Sequence, residues 1–109
     1  PLARYLYTPE FVIAHQDAIG LTAEQGVALK TSAAVSRMQV MQTQIKLSAS
    51  TEKLTTILSS PVVDEASVLQ QIDQVLALER EVKRAQLSML VRVKNQLTPA
   101  QQEKLDKLK

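Results

Sequence analysis

Residues 27–60 and 62–98 contain neither proline nor glycine in a chain of only 109 residues. The prolines fall at 1, 9, 61 and 99, and the glycines at 20 and 26. Both uninterrupted stretches are rich in Ala, Leu, Gln, Glu, Lys and Arg, which lose little side-chain freedom in a helix. Strands seldom run beyond about ten residues. Stretches of this length without a turn signal therefore predict two long helices, folded back at Ser59-Ser60-Pro61.

Start and stop signals set the boundaries. Thr8-Pro9-Glu10 offers an N-cap, a proline at the first helical position and an acid in the first turn. Gly20 suits a C-terminal cap. In Leu21-Thr22-Ala23-Glu24-Gln25, Thr22 can cap and Gln25 can reach back to the Thr22 backbone N–H, which is a capping box. Leu97-Thr98-Pro99-Ala100-Gln101 repeats the device, and Asp64 is placed to cap the third helix. The expectation is an all-α fold of four helices, near 9–19, 22–58, 64–96 and 98–108. It forms a single domain over 1–109, with residues 1–8 as an extended N-terminal segment.

Periodicity agrees with the long pair. Val27, Ala34, Met38, Met41 and Ile45 recur at spacings of seven, four and three, and Leu47, Leu54 and Leu58 form a second, displaced stripe. Leu69, Ile72, Val75, Leu76, Val82, Met89, Leu90, Val93 and Leu97 trace one face of the next helix. A helix of about 30 residues is roughly 45 Å long. Two such rods cover only one flank of each other, so the remaining apolar surface calls for the end helices or a second subunit. A twofold homodimer is the expected solution.

Composition narrows the function classes. A net charge of +2, without aromatic recognition motifs, gives no reason to expect nucleic acid. With no cysteine there are no disulfides, thiolate metal sites or thiol catalysis. No apolar run approaches the roughly 20 residues a membrane span requires, so no direct insertion is expected of this segment. Both glycines sit at helix boundaries, which leaves no phosphate-cradling loop. The single histidine has no evident catalytic partner. The reading is of a binding protein rather than an enzyme, with no cofactor.

The two Leu-Thr-x-x-Gln motifs, Leu21, Thr22 and Gln25 and then Leu97, Thr98 and Gln101, bracket one long helical pair. In that arrangement the chain resembles the LTxxQ-motif family of bacterial periplasmic proteins. The family includes Spy- and CpxP-like chaperones and ZraP- and CnrX-type heavy-metal resistance and sensing proteins. The resemblance covers about residues 8–108. It implies a periplasmic, cradle-like homodimer of hooked antiparallel helical hairpins. It also implies ATP-independent binding of unfolded or partly folded proteins on a concave face, in a stress-response role. Docking to a sensor kinase belongs to some members. The alternative function it implies is a metal-responsive (Zn, Ni or Cu) sensor or heavy-metal resistance protein. The motifs themselves read as helix caps.

Candidate site residues follow. Met38 and Met41 could line an adaptable client surface, because thioethers repack easily, or could be plain core. Lys83, Arg84, Arg92 and Lys94 lie in a stretch without acids. They give either a steering field for clients or a solvated helix face. His15 is the only imidazole and the leading candidate metal ligand, with carboxylates such as Asp17 or Glu24 as the donors that could join it in a dimer. Phe11 stands one turn before it, while Met89 and Val93 occupy third-helix positions where metal-binding relatives would place ligands. A transition-metal site normally wants three or four good donors, so no metal is assigned. The aromatics Tyr5, Tyr7 and Phe11 cluster at the N-terminus, with Phe11 expected to pin the first helix. Glu79 and Gln86 interrupt the third helix's stripe, as surface residues or as a buried polar seam that fixes register.

Overall fold

A computed structural model describes residues 1–109. The chain is all-helical. A 3-10 turn, Leu2–Tyr5, is followed by α1 (Pro9–Ala14), α2 (Gln16–Ile19), α3 (Ala23–Leu58), α4 (Glu65–Gln96) and α5 (Pro99–Leu108). The two long helices, α3 and α4, pack against each other. The expected caps are present. Thr8 Oγ1 accepts the Phe11 N–H at 3.2 Å, and Asp64 Oδ2 accepts the Ser67 N–H at 3.2 Å and the Ser67 hydroxyl at 2.7 Å. Gly20 is left-handed at φ 68°, ψ 43°, with Gly20 N–H on Asp17 O and Leu21 N–H on Gln16 O. That double return of amides onto orphan carbonyls is a Schellman ending, and it requires the φ that glycine adopts without steric cost.

Two expectations at the N-terminus are corrected. The helix over 9–19 is two helices, because His15 leaves helical geometry at φ −112°, ψ 21° and its N–H bonds Val12 O, three residues back. Both pieces still serve one core, since Val12 and Ile19 are buried in the same cluster. Residues 1–8 are not uniformly extended. Leu2–Tyr5 close a 3-10 turn, and Tyr7 is buried, 3% exposed. Its ring and hydroxyl both find partners in the α5 region, which fixes a segment that would otherwise stay open.

The chain packs as two compact units. Residues 1–37 and 86–109 form a core unit, and residues 38–85 form a helix-pair unit. In the core unit Tyr7, Val12, Ile19, Leu29, Val93, Leu97 and Leu105 make the apolar cluster, with Phe11, Leu21 and Met89 packed against it. α2 packs on α5 there. In the helix-pair unit no apolar side chain is buried, and the one buried residue is Gln71. Its Nε2 donates to Ser50 O and to Ser50 Oγ, both at 2.9 Å.

The stripes on α3 exchange roles, except that Leu58 is 52% exposed and Ile57 takes its place in the packed row. The side chains that lose solvent are Leu29, Ala33 and Ser36 in the core unit and Val40, Thr43, Leu47, Ser50, Leu54 and Ile57 in the other. They alternate by four and three, the spacing of a packed helical seam. Val27, Ala34, Met38, Met41 and Ile45 sit two residues earlier in each repeat, about 160° away on the helix, and are exposed. Small and polar seam residues made the true packing face look weak in the sequence. On α4, Ile72, Val75, Val82, Met89, Leu90 and Val93 are at least half-buried, as is Leu97 just past its end, but Leu69 and Leu76 are exposed. Glu79 and Gln86 are exposed too, so the buried polar residue of the pair is Gln71.

Candidate functional site

The two Leu-Thr-x-x-Gln motifs meet inside the core unit. Leu97 is buried and Leu21 packs against the cluster, so each motif begins with an apolar anchor. Thr22 Oγ1 accepts the Gln25 N–H and Gln25 Oε1 accepts the Thr22 N–H, at 3.1 and 2.9 Å. Thr98 and Gln101 repeat the box at 3.1 and 2.9 Å. The glutamines then pair with each other. Gln25 Nε2 donates to Gln101 Oε1 at 2.8 Å, and Gln101 Nε2 donates to Gln25 Oε1 at 3.0 Å. The remaining amide hydrogens go to carbonyls across the junction, Gln25 to Gln96 O and Gln101 to Gly20 O. Capping accounts for the Thr and half of each Gln. The reciprocal amide pair was not foreseen from spacing, because nothing in a local motif says that a second copy will face it.

A second polar arrangement ties the N-terminal segment to the end of α5. Tyr7 Oη donates to Asp106 Oδ1 at 2.7 Å. Lys109 Nζ donates to the carbonyls of Ala3, Arg4 and Leu6, each at 3.0 Å, and stands 4.5 Å from the Tyr7 ring centroid. Burial, then the hydrogen bond to Asp106 and its negative charge, push the Tyr7 phenol up to about 12. The aromatic cluster thus divides. Phe11 packs on the core and Tyr7 is clamped, whereas Tyr5 is 59% exposed, with Lys94 Nζ 5.9 Å from its ring centroid. Asp106 and Lys109 carried no signal in the sequence beyond being charged residues near a helix end.

His15 is half-buried and meets Phe11 edge-on, with centroids 4.8 Å apart. Met89 and Val93 belong to the core cluster or its margin. No group of three or more His, Cys, Asp or Glu side chains is placed to hold a metal ion.

The client-surface candidates lie mostly in the helix-pair unit. Met38 and Met41 are each 63% exposed, and Ile45, on the same α3 face, is 68% exposed. Lys83 and Arg84 belong to this unit, while Arg92 and Lys94 belong to the core unit. At about 100° per residue, Lys83 and Lys94 fall on one side of α4 and Arg92 on the other, so the four cations are not one stripe. No helix is long and apolar enough to cross a membrane. No family model matches the chain, and neither a curated protein nor a solved structure matches it significantly.

Proposed function

We propose that this chain is a protein-binding module of the LTxxQ-motif kind: a periplasmic, ATP-independent chaperone or envelope-stress regulator. It works as a homodimer of hooked helical hairpins that form a cradle. The observation that carries this reading is the open apolar row Met38, Met41 and Ile45, in a helix-pair unit whose own seam leaves no apolar side chain fully buried. Exposed large hydrophobics at helical spacing leave water only by covering one another or by meeting a partner. Thioethers suit partners of no fixed shape, because Met repacks easily. Lys83, Arg84, Arg92 and Lys94 place positive charge on more than one side of α4. They need not share a face to raise the rate of encounter with acidic, partly unfolded chains. The mutual docking of the two motifs supports the resemblance, since it gives both copies one structural purpose. A sensor kinase that recognises the same surface would complete the regulatory version.

Suppression of aggregation tests the reading. A reduced, unfolding client such as α-lactalbumin should stay in solution with the intact chain at equimolar ratio and without nucleotide. The Met41→Glu/Ile45→Glu variant should lose most of that protection while keeping its helical circular dichroism. Equal aggregation with and without the intact chain would remove the chaperone reading.

A further inference from the structure

The core unit holds a cleft that the motifs do not use and that shares only Ala34 with the open α3 row. It lies between α1 and the first turns of α3, has a volume of about 590 Å³, and is lined by Pro9, Glu10, Ile13, Ala14, Lys30, Ala33, Ala34 and Arg37. Its space comes from small side chains. Ala14 faces Ala33 and Ala34 where larger residues would have closed the gap, and Ile13 and Pro9 extend the apolar wall. Lys30 and Arg37 stand one turn before and one turn after the alanine floor, about 10 Å apart along the helix. Both are exposed, and neither side chain makes an ion pair or hydrogen bond within the chain. The one acid of the cleft, Glu10, belongs to the opposite wall on α1.

We propose that this cleft binds a free fatty acid, its alkyl chain on the Ile13, Ala14, Ala33 and Ala34 floor and its carboxylate between Lys30 and Arg37. Two features choose this occupant. The volume lies within the range of small-molecule sites and suits one slender tail. The lining offers two cations on one wall, one acid on the other and otherwise apolar side chains carried on helices, with no strand edge to pair an extended chain. An extended peptide would bury N–H and C=O groups without partners there, whereas an alkyl chain has no polar groups to satisfy. The cations of α3 favour an anionic head, and Glu10 on the other wall steers it to the α3 side.

The test uses the full chain and sodium laurate below its micellar concentration, followed by titration calorimetry. Saturable binding of one laurate per chain is expected. Dodecyltrimethylammonium, with the same tail and the opposite charge, should bind at least about tenfold more weakly, as should laurate to Lys30→Glu/Arg37→Glu. Ala34→Phe puts a ring into the cleft from an exposed helical position. It should abolish binding while leaving circular dichroism and the melting temperature unchanged. Lack of saturable laurate binding at submillimolar concentration overturns the proposal, as does equal binding of the cationic surfactant or retained affinity in well-folded Ala34→Phe. An acidic, leucine-rich peptide that displaces laurate with higher affinity also overturns it, and would make the cleft a peptide site.

Discussion

Gln25 and Gln101 each fill both acceptor positions and both donor positions of one side-chain amide. Only a side-chain amide does this; Asn has one but is a methylene shorter, and Glu can accept but cannot donate when ionised. Gln101→Glu should therefore keep the capping box yet leave Gly20 O and Gln25 Oε1 facing a carboxylate. A loss of about 2–3 kcal/mol at pH 7 is expected from urea melts. The anion is disfavoured only in the folded state, so the new carboxyl's pKa is raised on folding. The variant should regain stability as pH falls and the group protonates. A loss under about 0.5 kcal/mol, or no recovery in acid, would mean that the pair is ornamental. Tyr7 follows the same sign at the alkaline end of the scale. Its folded pKa, about 12, is above the unfolded 10.0. Its contribution is fully present below pH 10 and is lost as pH rises through 12. Urea melts across that window should show a steeper alkaline decline for the intact chain than for Tyr7→Phe, and parallel declines would refute the buried-phenol account.

The elements themselves were largely legible, because helix ends are written in short local chemistry. Thr8-Pro9, Gly20, Thr22 with Gln25, Asp64 and Thr98-Pro99 each do what an isolated helix end requires, and α3, α4 and α5 begin and end within a residue or two of expectation. The break at His15 carried no such mark, since histidine is neither a breaker nor a preferred cap. Which face of α3 packs was not legible. Ala33, Ser36, Thr43 and Ser50 interrupt the seam with small or polar residues, so the louder apolar row Val27, Met38, Met41 and Ile45 drew attention although it faces water. Gln71 was hidden for the same reason, for a glutamine in a helix reads as surface. It holds α4 to Ser50 with two hydrogen bonds in a unit that buries nothing else. Gln71→Ala should destabilise the chain by about 1–2 kcal/mol, measured by denaturant melts. Gln71→Leu should recover part of that loss by burying apolar surface. If both variants melt like the parent, the Gln71–Ser50 contact contributes nothing to the pairing.

Stability is unevenly distributed across the molecule. Every fully or nearly buried apolar side chain belongs to residues 1–37 and 86–109, and residues 38–85 hold none. Local opening is least costly where few apolar contacts must be broken. Hydrogen exchange on dilute protein should therefore find the amides around Leu29 and Val93 opening only with global unfolding. Those around Thr43 and Leu78 should exchange at least about tenfold faster, a difference of about 1.4 kcal/mol. A twin copy laid on Met38, Met41 and Ile45 would bury that row and couple its protection to concentration, since binding stabilises whatever conformation it selects. Raising the protein concentration should then slow exchange in 38–85 while leaving 29–36 and 89–97 unchanged, and Ile45→Glu should erase that dependence without touching the core amides. Uniform protection along α3 at every concentration would show that the helix pair needs no cover. In that case the homodimer loses its physical motive.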